Sequence, residues 1–117
     1  MNKHGRKWTV KNNQLGVAYL QYDDPRHGKQ RPVYVYVVTS DVVTVFMITS
    51  KAGHSVQAQN NRYQIKDWQA AGLDRPSFIR VDRRFQLFRF GMTFHTFGTL
   101  SRRDQIGLRE FIKNYKK

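Results

Sequence analysis

The stretch that decides the fold is PVYVYVVTSDVVTVFMITS, residues 32–50. Two apolar runs within it, residues 32–38 and 42–48, are rich in Val, Tyr, Phe and Ile, the residue types that favour β-strands. The Thr-Ser-Asp segment between them, residues 39–41, has the composition of a turn and breaks the run in a way that does not suit a membrane helix. The stretch therefore predicts a β-hairpin.

Apolar residues occupy both faces of the first of these strands. Strict alternation places Val33, Val35 and Val37 on one face, and Tyr34, Tyr36 and Val38 on the other. An antiparallel sheet normally leaves one face in water, so apolar residues on both faces require a second cover. A packed helix or a second subunit would supply it, and the outer apolar positions therefore motivate the prediction of a homodimer.

Shorter elements surround the hairpin. Residues 15–22, 77–81 and 85–90 are predicted as strands, residues 67–71 as one helical turn, and residues 51–61 as a long flexible loop. A chain of 117 residues fits one compact domain. We predict a mainly β (α+β) domain over residues 14–117, preceded by a basic arm at residues 1–13. Its expected form is a small twisted β-barrel with a short helix and a C-terminal helix.

The chain ends in a predicted helix. Ser101 and Asp104 resemble a capping box, in which the hydroxyl accepts a hydrogen bond from the backbone N–H three residues on. Apolar residues then recur at i, i+3, i+4 and i+7, at Leu108, Phe111, Ile112 and Tyr115. This spacing gives the helix one apolar stripe.

The charge balance indicates a polyanionic partner. Twenty-one Lys and Arg against eight Asp and Glu leave a formal net charge of +13. An excess of this size attracts polyanions and speeds their capture, which makes nucleic acid the first partner to consider. An anionic membrane surface is the second, but the sequence has no long basic amphipathic helix to serve it.

Composition also excludes several chemistries. Cysteine is absent, which rules out disulfides, thiolate zinc sites and thiol nucleophiles. His4, His54 and His95 are scattered and lack carboxylates at ligand spacing, so we expect neither a metal nor another cofactor. Residues 1–13 contain no apolar stretch that would serve as a signal peptide, and the chain is therefore expected to be soluble and cytoplasmic.

One carboxylate stands alone in the most basic part of the chain. From Arg75 to Arg103, both included, there are seven arginines and a single acidic residue, Asp82. In a strand, Arg80 and Asp82 share a face and lie roughly 6–7 Å apart along the chain, so that together they can flank a phosphodiester. RNA supplies its own nucleophile, the 2′-hydroxyl, and its cleavage needs a base, positive charge and an acid but no metal. The commoner alternative is a structural ion pair.

Two further segments carry polar groups suited to phosphate. In the loop at residues 27–32, Arg31 presents a planar fork of donors, and His27 titrates near neutrality and can move a proton. Thr49 and Ser50 end an apolar strand with hydroxyls that can donate to phosphate or to a base edge. The alternatives are a solvated basic loop and hydroxyls that cap backbone groups.

These motifs occur in the order found in a known family. The ordered set is Gly16, the Gly-Lys-x-Arg-Pro segment at residues 28–32, Thr49-Ser50, the Asp-Trp-x-Ala-Ala-Gly-Leu segment at residues 67–73, the Pro-Ser-Phe-Ile-Arg-Val-Asp segment at residues 76–82, and Gly-Thr-Leu-Ser at residues 98–101. The run resembles the MazF/PemK toxin family, especially its PemK-like branch, over roughly residues 15–115. Val17 departs from the family pattern, which often has an acidic residue after the first-strand glycine, and so does the basic arm.

The resemblance implies both a fold and an activity. The family has an SH3-like β-barrel with a C-terminal helix. Its members are typically homodimeric, metal-independent ribonucleases of type II toxin–antitoxin systems, which cut single-stranded RNA at short sequences. They leave cyclic phosphate and 5′-hydroxyl ends, and a cognate antitoxin occupies the RNA groove.

The resemblance also assigns roles to individual residues. Asp82 matches the general base, Arg80 the acid or phosphorane stabiliser, and Arg31 the arginine that binds the scissile phosphate. Because arginine is a poor proton donor near neutrality, electrostatic stabilisation is the easier role for Arg80, and His27 or water is left as the acid. The predicted substrate-binding residues are Lys29, Thr49, Ser50 and Arg83.

Two other functions share the same sequence features. A non-catalytic RNA- or DNA-binding barrel would need the same positive charge and aromatic residues. A barrel toxin that grips a protein such as DNA gyrase is the third interpretation, although such a protein needs no reactive carboxylate.

Overall fold

The computed structural model describes residues 10–20 and 28–115, so His27 and residues 1–9 of the predicted arm lie outside the described part. The elements in chain order are β1 (Gln14–Leu20), β2 (Lys29–Val38), β3 (Val42–Thr49), α1 (Val56–Asn60), β4 (Arg62–Gln64), β5 (Phe78–Phe88), β6 (Phe94–Thr99) and α2 (Arg102–Asn114). The protein is thus mainly β, as predicted. Within the described ranges, no helix is long and apolar enough to cross a membrane.

All six strands form one antiparallel sheet in the order β4-β5-β3-β2-β1-β6. The predicted hairpin is confirmed as β2 and β3, with the Thr39 N–H donating to the Val42 carbonyl at 2.9 Å across the turn. Strict alternation along β2 is wrong beyond Tyr36, because the register with β3 shifts between Val35 and Val37. This bulge leaves Val37 exposed and lets Val38 pack with the cluster around Val35.

The outer face of the hairpin is covered by the chain's own C-terminal helix. Tyr34 is only 3% exposed and stacks on Phe46, and the α2 residues Phe111 and Ile112 pack against the same cluster. This intramolecular cover removes the reason for a dimer that Tyr34, Tyr36 and Val38 gave at the sequence level. A homodimer then rests on the family resemblance alone.

The opposite face of the sheet is buried by curvature. β5 and β6 stand four positions apart in the sheet, which is about 19 Å if the sheet were flat. The link between them, residues 89–93, would reach that distance only if fully extended, roughly 20 Å, yet it turns at Gly91 with φ of +91°. The sheet therefore curls, and Phe85 of β5 and Phe94 of β6 pack on one apolar cluster.

The curled sheet is open rather than closed. No pairing joins β4 to β6 in the part of the chain that the structure describes, so the predicted closed barrel is not found. Residues 77–81 and 85–90, predicted as two strands, belong to the single strand β5 (Phe78–Phe88) except for residues 77, 89 and 90. The pairing of β5 with β3 contains one bulge. Continuous pairing with β3 on either side of that bulge makes one strand of the two runs.

One helical prediction is confirmed and one segment needs correction. Residues 67–71 form a single helical turn, in which the Ala71 N–H donates to the Asp67 carbonyl at 3.1 Å, and the turn ends at Gly72, which adopts φ of +94°. The segment at residues 51–61, predicted as a loop, contains a short helix, α1, where the Ser55 hydroxyl caps the Ala58 N–H at 3.0 Å. The start of α2 is confirmed, with the Asp104 N–H donating to the Ser101 hydroxyl at 3.1 Å.

A buried carboxylate fixes α2 to the rest of the fold. Asp104 is completely buried and accepts hydrogen bonds from the Tyr63 hydroxyl at 2.7 Å and from the backbone N–H groups of Lys66 at 2.9 Å and Asp67 at 2.8 Å. Burial first, and then the bond to Asp104, raises the pKa of Tyr63. Asp67 in turn pairs with Arg103 through two hydrogen bonds of 2.7 and 3.2 Å. The cap thus binds one helix to two other segments.

Replacing this carboxylate tests its contribution to stability. Asp104→Asn turns one acceptor oxygen into an N–H₂ group that faces an N–H donor, which leaves buried donors without a partner. We expect the free energy of unfolding to fall by about 3 kcal/mol, measured by urea denaturation at neutral pH. Asp74→Asn, at a side chain that is 84% exposed, is the matched control and should change little. Equal stability of both variants would contradict the role of Asp104.

The Asp67 carboxylate predicts a pH dependence. Hydrogen bonds from Arg103 first, and from Ser101 second, hold the pKa of Asp67 below its ordinary value of 3.8. Its contribution to stability is therefore present above the unfolded-state pKa and is lost as the pH falls through the lower folded-state pKa. Urea denaturation from pH 6 to about pH 2 should show a smaller acid-induced loss in Asp67→Asn than in the wild type. Superimposable pH profiles would disprove this.

Candidate functional site

The site predicted from sequence lies in a bulge of β5. Phe46 of β3 is level with Arg84, and the next residue, Met47, is level with Arg80. Residues 81–83 therefore stand opposite a single step of β3. On the opposite edge of β5, the Val81 N–H donates to the Asn61 carbonyl at 2.9 Å, which continues the register of the β4–β5 pairing by one residue. Bulges of this kind re-aim side chains, and this one carries the lone acidic residue of the basic segment.

Arg80 and Asp82 meet, as their two-residue spacing predicts. The guanidinium donates to the carboxylate through Nε at 3.1 Å and through Nη2 at 2.6 Å. Their side chains are only 21% and 24% exposed, respectively. The pair is thus a bidentate, partly desolvated ion pair that remains accessible from one side. In this state the carboxylate is engaged by its neighbour, and an anion that drew Arg80 away would free it.

A second arginine lies beside this pair. Arg62 of β4 is level with Arg80, and its Nη1 donates to the Lys51 carbonyl at 2.6 Å. Desolvation first, then the like charge of Arg80, lowers the pKa of Arg62, while Asp82 raises it. Three charged groups, two positive and one negative, therefore share this corner and leave it net positive. Such a corner favours an anion.

Sequence reasoning did not identify Arg62. It belongs to the three-residue strand β4 at the end of a segment predicted as loop. The signal that would have found it is the alternation of the buried residues Tyr63 and Ile65 around Gln64, which marks a half-buried strand. The proximity of Arg62 to Arg80 and Asp82 of β5 arises from strand pairing and cannot be read from the local sequence.

The hydroxyl pair predicted to bind substrate lies at the same end of the sheet. Thr49 is level with Phe78, two residues before Arg80, and its hydroxyl accepts from the Lys51 N–H at 3.1 Å. Capping of the strand end, the alternative raised from sequence, is therefore what the Thr49 hydroxyl does. Thr49 and Ser50 line a cavity of about 220 Å³ together with Pro32 of the Arg-Pro turn.

The other predicted residues are distributed around this site. Arg31 lies two residues before Val33 on β2, and Val33 and Arg80 are both level with Met47, which puts Arg31 about 12 Å from Arg80 on the same sheet face. Lys29 begins β2 and is exposed. Arg83 lies within the bulge. His27 lies outside the described residues.

A larger cavity opens beside the bulge. It measures about 620 Å³ and is lined by Tyr36, Phe46, Gln57, Asn61, Val81, Asp82, Arg84, Ile112 and Tyr115. The lining combines aromatic rings, two side-chain amides and opposite charges, a set that suits a flat polar ligand. Its volume falls in the range of small-molecule and cofactor sites. Asp82 thus belongs both to the ion pair with Arg80 and to the lining of a cavity large enough for a small ligand.

Comparison with known proteins identifies no family. No protein-family model matches the chain, and no curated protein matches it. Among the described residues, no three His, Cys, Asp or Glu side chains cluster closely enough to hold a metal ion.

Substitution of Arg62 tests whether this corner binds anions. Arg62→Gln removes one positive charge, so the affinity for a short 2′-deoxy oligonucleotide should fall several-fold and the slope of log affinity against log salt should decrease by about 1. Fluorescence anisotropy across a salt series measures both quantities. Arg102→Gln, at an exposed position where α2 begins, removes the same charge elsewhere and is the control. Identical salt slopes for the two variants would rule the site out.

Proposed function

We propose that the protein is a metal-independent endoribonuclease that cuts single-stranded RNA, a toxin of the MazF/PemK type. The observation that carries the proposal is the Arg80–Asp82 pair, bidentate and about a quarter exposed, at the edge of the 620 Å³ cavity and beside Arg62. A base and two cations thus surround a space open to a phosphodiester. The net charge of +13 supplies the attraction for RNA.

The proposed reaction begins with exchange of ion pairs. The scissile phosphate takes Arg80 from Asp82, and the released carboxylate accepts the proton of the adjacent 2′-hydroxyl. The 2′-oxygen then attacks phosphorus, and Arg80 and Arg62 stabilise the additional negative charge of the phosphorane. The bond from phosphorus to the 5′-oxygen breaks, which leaves a 2′,3′-cyclic phosphate and a 5′-hydroxyl. His27 or water protonates that 5′-oxygen, because an arginine guanidinium holds its proton at neutral pH.

The remaining parts of the proposal follow from the family resemblance. They are an SH3-like strand topology for the curled, open sheet, a homodimer and a cognate antitoxin that covers the RNA groove. The cytoplasmic location expected from the sequence belongs to the same proposal. Arg31 is proposed to bind the scissile phosphate itself, and Lys29, Thr49, Ser50 and Arg83 are proposed to bind the RNA beside it.

A second function is favoured by one observation. Asp82 is already engaged by two hydrogen bonds from Arg80, which is also what a structural ion pair in a non-catalytic nucleic-acid-binding domain would show. In that case RNA would bind in a salt-sensitive manner and would remain intact. The same incubation therefore distinguishes the two functions.

Cleavage in the absence of metal is the direct test. The purified protein should cut a defined single-stranded RNA in EDTA and leave cyclic phosphate and 5′-hydroxyl ends, mapped by end-labelling. Asp82→Ala and Arg80→Ala should each lower the rate at least about a hundredfold. The controls are Asp41→Ala in the exposed hairpin turn and Arg102→Ala at the start of α2, which make the same charge changes elsewhere. Cutting only with added Mg²⁺, or equal rates in all four variants, would refute the mechanism.

A further inference from the structure

We propose that the 620 Å³ cavity beside the bulge is a nucleobase pocket. It selects a base whose Watson–Crick edge has an amino donor next to a ring-nitrogen acceptor, as in adenine and cytosine, whereas the corresponding ring nitrogen of guanine is a donor. The inference rests on the proposed function, because it supplies the feature that would make cleavage sequence-selective. It concerns binding rather than bond breaking, and it therefore has a test of its own.

The first support is the lining of the cavity. Tyr36 and Phe46 lie close together with ring centroids 5.1 Å apart, and Tyr115 of the α2 terminus faces the same space. Aromatic rings stack on nucleobases without regard to sequence, so they supply affinity but no selection. Selection requires polar groups at the edge of the base, which Gln57 and Asn61 bring to this cavity.

The second support is an unsatisfied polar atom. The Oδ1 atom of Asn61 is shielded from solvent and has no hydrogen-bond partner. A buried acceptor without a donor destabilises the folded protein, and such atoms in native proteins call for an explanation. The terminal torsion of Asn is soft, so the amide can turn toward the adjoining cavity when a ligand offers a donor.

The third support is the location of Asn61. Its backbone carbonyl accepts from the Val81 N–H at 2.9 Å, one residue before Asp82, and Asp82 lines the same cavity. A base held by Asn61 would therefore belong to a nucleotide next to the phosphate that Asp82 and Arg80 engage. The hydrogen bond between Val81 and Asn61 thus fixes the position of Asn61, which would recognise the base, relative to Asp82, which would act in cleavage.

The chemistry of the amide determines which base fits. Its oxygen accepts one hydrogen bond and its nitrogen donates another, so a side-chain amide pairs with an amino donor beside a ring-nitrogen acceptor. A carboxylate at the same position accepts two hydrogen bonds and donates none, which suits the two adjacent donors of guanine. Asn61→Asp is therefore expected to invert the preference.

Binding of uncleavable oligonucleotides tests the pocket. Short 2′-deoxyuridine oligomers with one internal adenine, cytosine or guanine lack the 2′-hydroxyl, so affinity is measured without cutting. The wild type should bind the adenine or cytosine oligomer about tenfold more tightly than the guanine oligomer, and Asn61→Asp should reverse that order. Asn60→Asp adds the same charge at the exposed neighbouring position and should keep the wild-type order.

Each outcome decides the proposal. Reversal in Asn61→Asp alone supports the pocket, and if RNA nevertheless stays intact in EDTA, the pocket stands while the proposed nuclease fails. An unchanged order in Asn61→Asp, or equal affinity of the wild type for all three oligomers, overturns the pocket whether or not the protein cuts RNA. Asn61→Ala, checked for folding by its thermal transition, should lose the preference without reversing it, and a retained preference there overturns the proposal as well.

Discussion

The buried carboxylate of Asp104 is the constraint on which the rest of the structure depends. It accepts from Tyr63, which lies in β4, and from the backbone of the turn that follows, while its own N–H closes the first turn of α2. A buried charge is tolerated only when its lone pairs are satisfied, so these donors are fixed in position by the cost of losing any of them. Gly107 of α2 completes the arrangement, since a β-carbon there would overlap the Tyr63 hydroxyl.

That constraint reaches the functional site through β4. Tyr63 is level with Ile79 of β5, and its neighbour Arg62 is level with Arg80, so the segment that Asp104 fixes also positions the second arginine. The preceding residue, Asn61, extends the pairing of β4 with β5 to Val81, the residue before Asp82, by accepting from its N–H. The cap of α2, the cover of the hairpin and the placement of Asp82 are therefore parts of one packed unit. A change at the helix cap is therefore expected to alter the site through Tyr63 and β4.

Local patterns in the sequence predicted what local physics determines. The β2–β3 hairpin, the apolar stripe of α2 and the Ser101 cap each depend on residues within a few positions of one another, and all three are present. The bulges were not predictable, because the alternation of Arg80, Asp82 and Arg84 is the same in a regular strand as in a displaced one. The hydrogen-bond partners of Asp104 could not be predicted from local sequence either, because Tyr63 lies 41 residues away in the chain. Those interactions are set by packing rather than by neighbours.

The hydrogen bonds between Arg80 and Asp82 are compatible with a reactive carboxylate if binding of an anionic ligand breaks them. Both oxygens of the Asp82 carboxylate accept hydrogen bonds from Arg80, so the carboxylate is engaged while Arg80 holds it. A ligand without negative charge gives Arg80 no reason to leave. A phosphodiester does, because it offers the same planar pair of oxygens, and Arg62 beside it keeps the corner positive during the exchange. Reactivity would then appear only when the group to be cut is already bound, which limits it to phosphate-bearing chains.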